Sequence, residues 1–419
     1  MKHFKNYLAF NLNLLGGLIA TGINLLSAQK PSLRQEPIPY FADSLWGYAL
    51  PGKRLLVKPA YLHASFFSEG MGAVCLRCSS SCEGTRMGLW GYCDLSGNLK
   101  IEPQFQDVQD FREGKAGVKK NGRWGFIDKN GMPVIAFAHD TVYPFHEGVT
   151  AVKTEGRWLL LNSNGQVVSR APFDEIKPFS QGVAAFRRGS LWGYVNTQGR
   201  EIVPPRFNYA DDFSEGFGVA EYNSLYVIVD KSGNIKKTEE VYDFVGNFKE
   251  GLAVTLKNGH FGFITPDGNV FIPNVYPKVP GVEQYPFFSG GIAAVPSPFG
   301  WGYVDVNGQE LIRGFDKARN FFGDLAPVRQ GVLWGYINRK GKLVIPFLYD
   351  EAWEMHHGVA IVMKNKKYGL INTNGELVSP FKWDMIERVE EKNGYFKAYL
   401  NSKPCILDNK GTEYCQIQP

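Results

Sequence analysis

After its first 28 residues this 419-residue sequence has no apolar run long enough to span a bilayer and no block of like charge. Its 46 basic and 41 acidic residues leave a net charge of +5, and Lys2 and Lys5 account for part of even that small excess. With no basic patch, nucleic acid is not an expected partner. Histidine and cysteine are scarce, at seven and six residues. No H-E-x-x-H, G-x-S-x-G or phosphate-binding glycine loop occurs. The sequence therefore offers no catalytic residue, cofactor-binding residue or metal site, and it reads as a non-enzyme that needs no cofactor.

The acid-free N-terminus has a basic start, "MKHFKNY", then the apolar stretch "LAFNLNLLGGLIATGINLL" and a small residue, Ala28. This is the pattern of an export signal at 1–28 cleaved near Ala28, followed by a linker at 29–40. The alternative is an uncleaved anchor helix, which Asn11, Asn13, Asn24 and two glycines weaken. No cysteine follows the apolar stretch, so no lipid anchor is expected. The mature chain is read as secreted, periplasmic or bound to the cell envelope, without a stable transmembrane span.

What the chain has in abundance is glycine (47), Phe (30), Tyr (20) and Trp (9). The stretch "NGRWGFIDKNG" (121–131) sets two Asn-Gly turns around a short aromatic strand. It recurs. Trp90, Trp124, Trp158, Trp192, Tyr226, Phe261, Trp301, Trp334 and Tyr368 each precede a turn glycine by seven residues. A second mark, of the form F-x-E-G, starts thirteen residues before the aromatic at Phe111, Phe145, Phe179, Phe213 and Phe248. Degenerate units surround Trp46 and the segment "KPCILDNKG". About eleven units of ~34 residues fill 41–419.

Each unit reads as three short strands joined by tight turns, and one such sheet lacks cover for its apolar face. The expected fold is all-β: a tandem array of three-stranded antiparallel meanders forming an elongated or superhelical stack. Propeller-like closure is the alternative, but 34 residues are few for a four-stranded blade. The repeat core is assigned to Trp46, Trp90, Trp124, Trp158, Trp192, Tyr226, Phe261, Trp301, Trp334 and Tyr368. The glycine after the aromatic is read as room for a close neighbour, with different contacts expected at Trp158-Leu159 and Tyr226-Val227.

Segments such as "GRWGFIDKNGMPVI" (122–135) and "LWGYINRKGKLVIPFLYDEA" (333–352) resemble the WG-repeat family, also called KWG repeats. The resemblance spans roughly 40–415. It implies a β-rich array generally treated as an interaction module in bacterial proteins, and it carries over no catalytic residue.

Four of the cysteines, Cys75, Cys78, Cys82 and Cys93, cluster in an insertion at 75–93. Four thiolates suit structural zinc, whereas an exported chain favours disulfides. Cys405 and Cys415 flank a turn and are expected to form a bridge across it. Acidic residues recur at two corners: Glu69, Glu113, Glu147, Glu215 and Glu250, then Asp140, Asp174, Asp243, Asp316, Asp350 and Asp384. Caps on turn amides are preferred to calcium ligands, which would crowd into one segment. His356-His357 reads as an exposed loop, and the longest departure from period (273–288) as a contact site or a tolerated insertion. The expected function is a non-catalytic, exported scaffold binding a protein or an envelope component. A carbohydrate-binding protein with exposed aromatic platforms is the second reading, and a secreted hydrolase the third.

Overall fold

The structure is a computed structural model that describes residues 36–76, 88–169, 171–279, 285–390, 392 and 394–416. The Met1–Ala28 segment and its cleavage point lie outside these, as do Cys78 and Cys82. Among the described residues every regular element is a strand. They form eight four-stranded sheets, one three-stranded sheet and one seven-stranded sheet.

The unit around Trp192 shows why these residues fold this way. Strands Val183–Arg188, Leu191–Asn196 and Glu201–Phe207 form the expected meander. Gly189 (φ 65°) and Gly199 (φ 73°) sit in the connecting turns, where a left-handed backbone favours glycine. One strand was not anticipated. The corner between units adds a two-residue strand, here Glu175–Ile176, which pairs with Phe186 and Arg187. The meander is therefore four-stranded, in the order linker, first, second, third. Two paired residues are too few to leave an alternating pattern in the sequence.

Both faces of a unit are buried. Val183, Ala185, Trp192 and Tyr194 pack with Phe213, Ala220 and Val227 of the following unit. Ala184, Phe186 and Val195 on the reverse face meet Ala151, Trp158 and Leu160 of the preceding one. That sandwiching explains why "VAAF" and "GVTAV" are nearly continuous apolar runs rather than alternating ones.

The residue two places after the aromatic mark is deeply buried in each unit. Tyr48, Tyr92, Phe126, Leu160, Tyr194, Tyr303 and Tyr336 are fully inaccessible. The marks themselves are buried (Trp158, Trp192, Phe261, Trp301, Trp334) or half-buried (Trp46, Trp90, Trp124, Tyr226, Tyr368).

The glycine after the mark answers to its own sheet, not to a neighbouring unit. A Cβ on Gly193 would lie 2.5 Å from the carbonyl oxygen of Val203 on the third strand, and one on Gly335 would lie 2.6 Å from that of Ile345. The cause is a bulge: Trp192 pairs with Phe207 and Tyr194 with Val203, so the third strand crowds toward the second. Where the glycine is replaced, pairing of the third strand is reduced. Beside Val227 the third strand shortens to Ile235–Lys237 in regular register. Beside Leu159 only isolated bridges, Trp158 to Phe173 and Leu161 to Val167, remain.

Outside the last unit, third strands are the outer edges of their sheets, and most contain a proline: Pro59, Pro103, Pro204, Pro273, Pro346 and Pro380. Without an N–H, proline blocks pairing by a further strand, which gives the recurrent V-I-P a physical purpose.

The two ends of the array meet. The first unit (Ile38–Ala42, Leu45–Leu50, Arg54–Tyr61) and the last (Met385–Arg388, Tyr395–Leu400, Lys403–Asp408, Glu413–Gln416) form the seven-stranded sheet. Strand Ile38–Ala42 pairs in parallel with Glu413–Gln416, Phe41 opposite Cys415 and Ala42 opposite Gln416.

Candidate functional site

The recurrent glutamates form a ladder between units. Each occupies a left-handed position ahead of a glycine: φ is 49° at Glu69, 52° at Glu113 and Glu215, 54° at Glu147 and 51° at Glu250. Their carboxylates accept hydrogen bonds from the equivalent turn of the next unit. Glu69 takes the N–H groups of Glu113 (2.6 Å) and Gly114 (2.9 Å). Glu113 takes Gly148, and Glu147 takes Gly182. Glu215 takes Glu250 and Gly251, both at 2.7 Å, and Glu250 takes Gly290 and Gly291. Gln181 fills the same rung through Oε1 to the Gly216 N–H. Bonds from Gly114, Lys129 and Glu113 outweigh partial burial and hold the Glu69 carboxyl below its ordinary range.

The ladder changes hands at Gly290 and Gly323, which fill the glutamate position without a side chain. Arg339 instead donates to both carbonyls at 2.8 Å. Further on, His357 takes the left-handed position (φ 50°), and the His356 ring contacts Phe322 at 3.7 Å between centroids. Burial, with the charges of Arg388 and His357, lowers His356 to about 4.

The corner aspartates cap the hairpin of their own unit. Asp174 accepts from Gly189 N–H (2.6 Å), Asp243 from Asn258 (2.8 Å), Asp316 from Gly331 (2.5 Å) and Asp384 from Asn401 (2.7 Å). Asp140 accepts from Gly156 and pairs with Arg123. Asp350 shows its backbone N–H bonded to Met363. Lys367 and the Asn401 amide hold Asp384 below its usual range.

A third column was missed in the sequence. An Asp or Asn four residues after the mark, such as Asp128, Asn196, Asp305 and Asn338, accepts from amides two and four residues on. Its signal was available: an Asx three residues before the turn glycine in most units, with Thr265 as an exception. Among the described residues no group of three or more His, Cys, Asp or Glu is placed to hold a metal ion.

Cys405 and Cys415 are joined by a disulfide. Cys75 and Cys93 carry buried free thiols, which departs from the pairing expected for them. The register explains it: Cys75 lies opposite Trp90, and Cys93 is three residues beyond Trp90, so the two point to opposite faces of one sheet. In the long linker, Tyr285 packs against Phe244 and Phe261 at 4.6 and 5.6 Å.

The place where non-repeating surroundings converge is the seam between first and last units. There a cleft of about 690 Å³ is lined by Trp46, Phe66, Asp110, Arg112, Lys397 and Tyr399, among others. The Phe66 and Tyr395 rings meet across the seam at 5.5 Å, and Lys392 pairs with Glu36 at 2.6 Å. Ser65 accepts from the Ala73 N–H (2.9 Å) and reaches Asp110 (3.4 Å), tying the cleft floor to the third unit. The cleft has aromatic walls, and Arg112 and Lys397 are exposed at it. It can bind.

The model of the family described as "WG containing repeat" matches residues 90–124, 124–158, 160–192, 192–226, 228–259, 301–331, 334–368 and 368–403. No curated protein matches the sequence. Among solved structures, a eukaryotic initiation factor is similar at 11% identity and TM-score 0.38, covering 77% of this chain and 92% of that one. AztD from Citrobacter koseri matches at 13% and 0.33, covering 63% and 92%. The extracellular domain of a putative one-component system from B. thetaiotaomicron matches at 9% and 0.28, covering 92% and 70%.

Proposed function

Because the chain belongs to the WG-repeat family, with matched repeats covering more than half of its length, we propose that it is an exported, non-catalytic scaffold that binds a protein or envelope partner at the seam cleft. The observation that carries this reading is how the repeated residues are used. Recurrent carboxylates are engaged in turn and inter-unit bonds, and the marker aromatics are buried or half-buried between sheets. Chemistry free to meet a partner is thus left to residues outside the repeat pattern, and the cleft gathers several of them. Export is supported by the Cys405–Cys415 disulfide, which persists in oxidising compartments, and by the basic-then-apolar N-terminus. Among the described residues no helix is long and apolar enough to cross a membrane.

The glycan reading asks for a solvent-facing row of rings, and the marker positions supply none among the described residues. The protein-binding reading is therefore preferred. It is tested by capture from envelope extract with the full mature chain and with an Arg112→Glu/Lys397→Glu variant, both sites being exposed. A partner held by the native chain and lost by the variant is expected. Equal capture by both would place binding elsewhere.

A further inference from the structure

In most units a two-residue linker strand pairs with the end of the first strand. In the second unit it is His63–Ala64, opposite Cys75 and Val74. Aligning marks sets Cys75, opposite Trp90, equivalent to Phe41, opposite Trp46. In the first unit that slot is taken by the other end of the chain: Cys415 lies opposite Phe41 and Gln416 opposite Ala42. Strand Glu413–Gln416 thus stands in for a linker strand, and it does so in parallel rather than antiparallel orientation.

That strand is held at few main-chain points, with Glu413 paired to Lys382 at 2.7 Å and Tyr414 fully buried. It pairs with Lys403–Asp408 only at Tyr414 to Ile406 and Glu413 to Leu407. Its one covalent fastening is the Cys405–Cys415 bridge. Cys405 is fully buried among Leu370, Trp383, Phe396 and Leu407, with Cys415 packed on that cluster. The other contacts of the seam, Tyr414 against Ile38, Ala49 and Ile406, depend on the strand staying in place.

We propose that the Cys405–Cys415 disulfide is a redox-sensitive clasp for closure of the repeat array: oxidised, it holds the surrogate strand in the first unit's empty slot; reduced, it lets the seam open. Opening would be by thiol–disulfide exchange with an external dithiol. Its two thiols become a disulfide, and Cys405 and Cys415 each gain one electron and one proton as the S–S bond breaks. With only two main-chain pairs on each side, ordering the strand rests on the burial of Tyr414 and on the bridge, so loss of the bridge removes its one covalent hold. The inference concerns closure itself and stands whether or not the cleft binds a partner.

The test is hydrogen exchange on the folded full chain, followed by mass spectrometry, before and after a dithiol, with alkylation to confirm that Cys405 and Cys415 were reduced. Amides of 38–42 and 413–416 are expected to exchange about tenfold faster or more after reduction, while those of 191–196 are unchanged. A Cys405→Ser/Cys415→Ser variant is expected to match the reduced protein. Unchanged protection at 38–42 after confirmed reduction would overturn the proposal. So would uniform loss of protection along the chain, since the bridge would then hold the whole fold.

Discussion

Glu215 directs its carboxylate at the next unit: Oε2 accepts the N–H of Gly251 at 2.7 Å, across thirty-six residues of sequence. The same glutamate shapes its own turn, with φ at 52°. One side chain therefore serves two units, and the stack is stitched along this line by charge-assisted bonds as well as by apolar packing.

Glu215→Ala should lower unfolding stability by about 0.5–1.5 kcal/mol, the range for a hydrogen bond discounted for exposure. Glu215→Gln should lose less than half of that, because Gln181 already fills an equivalent rung. Urea unfolding of both variants measures the difference; equal losses would mean that the bonds contribute nothing.

Stability should fall in acid, and Glu69 sets one window. Its folded carboxyl lies below the ordinary value of 4.5. A depressed carboxyl contributes in full above its unfolded value, and the contribution disappears as pH drops through the folded one. Urea midpoints should thus decline below pH 4.5, and Glu69→Gln should show a shallower decline over that window.

Gly335→Ala would drive a Cβ to 2.6 Å from the Ile345 carbonyl oxygen. Backbone cannot yield as a side-chain tip does, so a loss of roughly 2–4 kcal/mol is expected. The reverse change, Val227→Gly, falls where no bulge exists. It should bring only the glycine entropy cost of about 0.5–1 kcal/mol and the lost packing of one valine. Calorimetry on both separates a bulge requirement from general intolerance.

Tyr336 donates its buried hydroxyl to the Trp353 carbonyl at 2.8 Å. Tyr336→Phe should cost about 1 kcal/mol and leave the fold intact, since Phe126 occupies the same slot two hundred and ten residues earlier. A neutral result in denaturant titration would show that water replaces the missing donor.

Much of this was legible because it is local. Turn glycines, aromatic marks and apolar runs recur at fixed spacing, and each reflects a backbone preference or a burial need within one unit. The linker strand was not legible, because two residues leave no periodicity. Nor was the reason for the Trp-Gly glycine, since the carbonyl it avoids is ten residues away on another strand. Capping by the corner aspartates was readable as chemistry. That the glutamates cap the following unit was not, because spacing along the chain does not say which turn stands alongside. The cysteines divide in the same way: a bridge across one hairpin follows from proximity in sequence, whereas the facing of Cys75 and Cys93 follows from register.

By itself the sequence determined the unit: its length, its turns, its apolar strands and the number of copies, because those depend on interactions a few residues apart. Only tertiary structure decided how the copies join, where the first unit finds a strand for its open edge and that the two ends make a cleft. Those outcomes compare alternative partners for the same backbone groups, and the winner is set by where hundreds of intervening residues deliver them.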